Sequence, residues 1–177
     1  MKNVCIVGYG AIGPIHADAI VKTQNANFYA VCDIDPKAVK NCLQKHSVIV
    51  YNDFEEMLED ENIEFIHICT PHYLHVPMAV TALRKGIHVL CEKPCAISEE
   101  GLELLRKAQE NSTANFGVCF QNRYIESVTA VKDIIDKKLF GKVISARAFV
   151  HWSRGEDYYS DDWHGKLSKE GGGVTVN

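Results

Sequence analysis

Six residues near the start of the chain, Gly8-Tyr9-Gly10-Ala11-Ile12-Gly13, have the G-x-G-x-x-G spacing that lets a backbone receive a pyrophosphate. Gly8 permits a tight turn, Gly10 lets the anion approach the main chain, and Gly13 lets a helix pack closely on a strand. Free N–H groups and the positive end of the following helix then favour the negative charge. An acid is needed about 20 residues further on to meet the hydroxyls of an adenosine ribose, and Asp33 stands there. Its carboxylate accepts from both hydroxyls of NAD, and a 2′-phosphate would meet like charge. No arginine follows in Ile34-Asp35-Pro36, so NAD is preferred over NADP. A glycine turn of this kind also occurs in other α/β proteins, such as methyltransferases that bind S-adenosylmethionine, and these are the competing reading.

Three more stretches hold reactive side chains. Cys91-Glu92-Lys93-Pro94 follows an apolar run, and its lysine is suited to donate a proton or a hydrogen bond to a substrate oxygen. Against this stands a plain solvated lysine, the commoner case. Cys69-Thr70-Pro71-His72-Tyr73-Leu74-His75 offers Thr70 and His75 to a cofactor groove. His72 reads as an exposed imidazole beside a helix cap. Gln121-Asn122-Arg123-Tyr124 offers amide and guanidinium donors, with helix capping by Asn122 as the bland alternative.

The elements that must position these residues alternate. Strands are expected at Val4–Val7, Phe28–Cys32, Val48–Tyr51, Phe65–Cys69, His88–Cys91 and Phe116–Phe120. Helices are expected at Pro14–Lys22, Pro36 to about Lys45, Phe54–Glu59, Tyr73–Lys85 and Gly101–Glu110. On the first helix Ile12, Ile15, Ala19 and Val21 are taken as one face. Asp35, Asp53 and Ser98 are expected as N-caps and Gly86 as a C-cap. Strands that are apolar throughout, with helices between them, imply a Rossmann-type parallel sheet covered on both faces. The fold class is therefore α/β, with a nucleotide-binding domain over residues 1–121. Residues 122–177 then read as the incomplete start of a second α/β domain. It opens with an amphipathic helix over Tyr124–Lys138, carrying Ile125, Val128, Val131, Ile134 and Ile135 on one side. A strand over Lys142–Trp152 follows, and the start of another helix after Gly171-Gly172-Gly173.

Composition bounds the rest. A 46% apolar content over 177 residues is enough for a real core. A net charge of −4 with no basic block argues against nucleic acid or an anionic membrane as partner. Apolar runs are too short to span a bilayer. Seven cysteines fall mostly in expected strands, so they read as buried thiols of a reduced, cytoplasmic protein rather than as disulfides. Eight histidines show no ligand spacing, and no metal is expected.

The ordered set Gly8-Tyr9-Gly10-Ala11-Ile12-Gly13 with His16, Asp33, Thr70-Pro71 with His75, Glu92-Lys93-Pro94, Asn122-Arg123 and Gly171-Gly172-Gly173 resembles the Gfo/Idh/MocA family of oxidoreductases. The resemblance implies a Rossmann domain followed by an α/β domain with a large open antiparallel sheet that often forms a dimer face. It implies hydride transfer between NAD(P) and a secondary alcohol carbon of a sugar, cyclitol or polyol. By the same resemblance, Gly8, Tyr9, Gly10, Ala11, Ile12 and Gly13 hold the pyrophosphate and Asp33 the adenosine ribose. Thr70 and His75 border the groove, Glu92 faces the nicotinamide ribose, and Lys93 is the catalytic lysine. The bond before Pro94 is expected to be cis. Asn122 and Arg123 fall near the nicotinamide. Trp163 and His164 fall near the substrate, where many members have Trp-Arg. Family members are about twice as long, with an acid and then a histidine after the three glycines, whereas Asn177 stands at the acidic position here. The resemblance thus implies a truncated form without normal turnover, dimeric or of higher order, or aggregation-prone through an exposed strand edge. A dinucleotide-binding sensor without catalysis is the alternative.

Overall fold

The computed structural model describes residues 1–172. The helix start expected after Gly173, and Asn177 with it, lie outside the described residues. The described residues divide into two compact units, one of residues 1–119 and 165–172, the other of residues 120–164.

In the first unit, six strands form one sheet: β1 Lys2–Val7, β2 Ala26–Cys32, β3 Ile49–Tyr51, β4 Phe65–Ile68, β5 His88–Glu92 and β6 Phe116–Cys119. Their order is β3-β2-β1-β4-β5-β6, and every pair is parallel. Chain order thus reverses direction between β1 and β4, and in such a sheet the carboxyl ends beside the reversal form the ligand crevice.

The helices cover both faces. They are α1 Gly13–Lys22, α2 Pro36–Leu43, the short α3 Phe54–Met57, α4 His75–Arg84 and α5 Glu99–Glu110. Successive residues of β1 serve opposite layers. Val4 and Ile6 pack with Ala17 and Ile20 of α1 and Ala38 and Cys42 of α2. Cys5 and Val7 pack with Ala79 and Leu83 of α4 and Leu105 of α5. This double burial is why the strands read as unbroken apolar runs.

The expected caps are present. Asp35 accepts from Lys37 N–H at 2.9 Å, Asp53 from Glu56 N–H at 2.8 Å, and Ser98 from Gly101 N–H at 3.0 Å. Gly86 closes α4 with φ +76°. The inward face of α1 differs from the expected one. It carries Gly13, His16, Ala17 and Ile20, while Ile15 and Val21 are exposed. The i, i+3, i+4, i+7 set starts from Gly13 because the helix must approach the glycine turn, and that rotation puts His16 inside.

Residues 165–172 belong to the first unit and pack on the turn that follows β4. They hold a short helix, Leu167–Glu170, whose Glu170 carbonyl accepts from His72 Nδ1 at 2.9 Å. Lys169 Nζ lies 5.2 Å from the centroid of the Tyr73 ring. His72 is therefore buried, not the exposed imidazole expected from the sequence. Its carbonyl partner lies 98 positions along the chain, too far for local reading.

The second unit contains a 3-10 turn at Gln121–Tyr124, α6 Glu126–Asp136 and a 3-10 turn at Glu156–Tyr159. Ile125, Val128, Val131 and Ile135 are all exposed. The strand expected over Lys142–Trp152 is not formed. A strand needs a partner for its N–H and C=O groups, and the segment finds none among the described residues. Asn122 does not cap α6 with its side chain, because Ile125 occupies the cap position.

Candidate functional site

The glycine turn leaves the carboxyl end of β1 and enters α1. Gly8 has φ +89°, and a Cβ there would come within 2.8 Å of the Cys69 carbonyl oxygen. A Cβ on Gly13 would lie 2.8 Å from the Gly8 oxygen. Both positions are closed to any side chain by the backbone itself. Gly10 is different: nothing lies within 4 Å of a Cβ placed there. Its bareness serves no contact within the chain, and the open space beside the helix start suits an approaching anion.

Asp33, just past β2, reaches across to this turn. Its Oδ2 accepts from Tyr9 N–H at 2.5 Å, and its Oδ1 accepts from Asp35 N–H at 2.8 Å. Each oxygen keeps a further lone pair for hydroxyl donors. The acid therefore has two tasks: it fixes the shape of the turn and presents the remaining acceptor sites. The Tyr9 ring is buried, 3% exposed, so only its backbone belongs to the turn's surface.

At the end of β4, Thr70 is partly exposed. His75 is wholly buried, with Nδ1 2.7 Å from the Pro94 carbonyl and Nε2 2.8 Å from the Thr70 carbonyl. It braces the loop after β4 against the loop after β5. Its influence on a groove runs through those two carbonyls. The Lys93–Pro94 peptide bond is cis.

Glu92, the last residue of β5, is buried at 8% exposure. Oε1 lies 2.8 Å from His16 Nε2, and Oε2 accepts from Lys93 N–H at 3.2 Å. Burial alone would raise its carboxyl. The hydrogen bonds from His16 and the Cys119 thiol outweigh burial and hold it below the usual value. His16 in turn places Nδ1 3.0 Å from Nδ1 of His67, in the middle of β4. Burial, with His16 beside it, pushes His67 down to about 4.

Sequence reading missed this arrangement. His16 appeared only as a motif position, and His67 only in a count. One signal was available: a histidine at the centre of a four-residue apolar strand must either face a helix or be paired. His16, Glu92 and Cys119 also bring one ligand-type atom each within 4.8 Å of one another, a cluster that no sequence spacing displays. Hydrogen bonds among the three account for that closeness.

The second unit holds the other expected site residues, Asn122, Arg123, Trp163 and His164. Arg123 stacks its guanidinium 5.5 Å from the Phe120 ring centroid. Trp163 and His164 have ring centroids 3.7 Å apart, and Tyr158 lies 4.0 Å from His164. Asp161 Oδ2 lies 2.5 Å from His164 Nδ1, while its Oδ1 accepts from the Trp163 and His164 N–H groups. These bonds overcome the effect of partial burial and lower the Asp161 carboxyl.

A parallel sheet of this order, with a bare glycine beside a helix start and an acid at the end of β2, defines a dinucleotide-binding protein. Residues 2–119 match the family described as "Oxidoreductase family, NAD-binding Rossmann fold", and the chain belongs to this Gfo/Idh/MocA family. It is 29% identical over 154 residues to glucose-6-phosphate 3-dehydrogenase of Bacillus subtilis, covering 87% of this chain and 43% of that protein. The fold matches the scyllo-inositol dehydrogenase of Lactobacillus casei, solved with NAD(H) and scyllo-inositol, at a TM-score of 0.76 and 28% identity, covering 80% of this chain and 42% of that one. It matches the WlbA dehydrogenase of Bordetella pertussis, solved with NADH and UDP-GlcNAcA, at 0.86 and 27% identity, covering 96% and 49%. The chain thus spans less than half the length of these relatives.

Proposed function

We propose that this chain is the cofactor half of an NAD-dependent oxidoreductase that moves a hydride between the nicotinamide and a secondary alcohol or ketone carbon of a sugar, cyclitol or polyol. The observation that carries the reading is the tie between Asp33 and the glycine turn at the carboxyl edge of the sheet. The bound dinucleotide supplies the hydride chemistry. Gly10 leaves the main chain open to the pyrophosphate, and Asp33 receives the adenosine ribose, which favours NAD over NADP. Lys93 follows directly on the end of β5, where its Nζ serves as the donor to the reacting oxygen. His75 and Glu92 hold the backbone on either side of it. Thr70 borders the cofactor, and by family resemblance Asn122 and Arg123 serve the nicotinamide and Trp163 and His164 the substrate. The exposed apolar side of α6 suits burial against further α/β structure with an open antiparallel sheet, and that sheet suits self-association.

Titration of the chain with NADH and with NADPH, followed by nicotinamide fluorescence, tests the cofactor assignment. Saturable binding with NADH preferred supports it, and no response to either overturns it. In a longer protein containing this chain, Lys93→Ala abolishes turnover and spares NADH binding. Turnover unaffected by that change removes Lys93 from the chemistry. A dinucleotide sensor binds NADH with no turnover to lose.

A further inference from the structure

The line His67–His16–Glu92, buried at His16 and Glu92 and partly buried at His67, joins three elements: β4, α1 and β5. Its protons are constrained. Glu92, held as a carboxylate, only accepts, so His16 Nε2 carries the hydrogen that bonds Oε1. The Nδ1–Nδ1 contact of 3.0 Å then requires one donor and one acceptor. If His16 is neutral, its Nδ1 is a bare acceptor and His67 must donate. If His16 takes a second proton, its Nδ1 becomes a donor and His67 must accept. A neutral imidazole meets both demands by moving its single proton between its two nitrogens, and burial keeps His67 neutral at ordinary pH. The other titratable groups facing the pair are the Cys119 thiol from β6 and the Cys69 thiol after β4.

We propose that His67 is a positioning residue, a tautomeric adaptor that keeps His16 bonded to Glu92 in both protonation states of His16. The His16–Glu92 pair thereby holds or releases one proton without breaking its geometry. The balance is one proton: His16 gains Nδ1–H, and the His67 proton passes from Nδ1 to Nε2. The pair stands directly behind the Lys93 backbone, and its use to a reaction there rests on the dehydrogenase reading above. The adaptor itself rests on the geometry alone.

Histidine side-chain nitrogens of the 15N-labelled chain report tautomer and charge separately, through long-range proton–nitrogen correlation across a pH series. The expected result is that His67 stays neutral and exchanges its protonated nitrogen over the same pH interval in which His16 takes up its second proton. His67→Asn, whose amide either donates or accepts, keeps the His16 midpoint in place. His67→Leu, which does neither, lowers it, because the His16 Nδ1–H then has no acceptor. A His67 tautomer that does not change while His16 titrates overturns the proposal, as does a His16 midpoint indifferent to His67→Leu. The wild-type series decides even if a variant fails to fold. NADH titration of the same samples keeps the two readings apart: loss of cofactor binding with the tautomer exchange intact counts against the dehydrogenase assignment only.

Discussion

Asp33 Oδ2 holds the backbone N–H of Tyr9 at 2.5 Å, so the acid just past β2 also clamps the turn that follows β1. Replacement of this residue consequently has two separable effects. Asp33→Ser weakens NADH binding by about tenfold to a hundredfold, the range for a hydrogen bond to a charged group. It also relaxes the discrimination against NADPH, because the like charge is gone. Fluorescence titration with both nucleotides reads this directly. A variant that still rejected NADPH as strongly would remove Asp33 from the ribose.

The glycines separate structural from ligand demands. Gly13→Ala brings a Cβ to 2.8 Å from the Gly8 oxygen and lowers the melting temperature. Gly10→Ala meets nothing within 4 Å, so its melting temperature stays near wild type while NADH binding falls at least about tenfold. Thermal melts beside titrations test the pair. Equal loss of stability in both would mean that Gly10 serves the fold.

Acid weakens the protein through His67. Its folded value of about 4 lies below the ordinary 6.5, so between these limits the unfolded chain binds the proton and the folded chain does not. Stability is complete above about 6.5 and falls as pH drops towards 4, by about 3 kcal/mol for the full shift. Below that, both states are protonated and this contribution stops changing. Denaturant melts of wild type and His67→Asn at pH 7, 5.5 and 4 isolate it from the carboxylates, which titrate in both. Parallel curves for the two proteins would show that His67 contributes nothing.

The docking of residues 165–172 gives a further test. Gly171 has φ +92°, and a Cβ there would sit 2.6 Å from Ile97 Cγ2. Gly171→Ala therefore releases the segment, and backbone amides of Lys169 and Glu170 lose protection from hydrogen exchange while those of β1 keep theirs. Unchanged protection of the segment would refute the contact.

Most of the sheet is legible in the sequence because burial on two faces writes each strand as an apolar run bounded by turn residues. The caps are legible for the same local reason, since Asp35, Asp53 and Ser98 act within three positions of themselves. The candidate site is only half legible. Gly8, Gly10, Gly13 and Asp33 carry a spacing, but His16, His67 and Glu92 meet across 51 and 76 positions. The face of α1 was set by its approach to the glycine turn, which its apolar residues alone did not reveal. The Lys142–Trp152 pattern has the alternation of a strand but finds no neighbour to pair with among the described residues, so propensity without a partner yields no ladder.

Four thiols line the middle of the sheet, on β1, β2, just after β4, and on β5: Cys5, Cys32, Cys69 and Cys91. Burial pushes each up, Cys5 and Cys32 to about 12, so almost no thiolate exists in the closed structure at neutral pH. Alkylating reagents consequently mark Cys95 and Cys119, which are less buried, well before these four. The sheet carries its own stopwatch: the label acquired over time at each of these four cysteines, located by peptide mass, counts how often that strand breathes open.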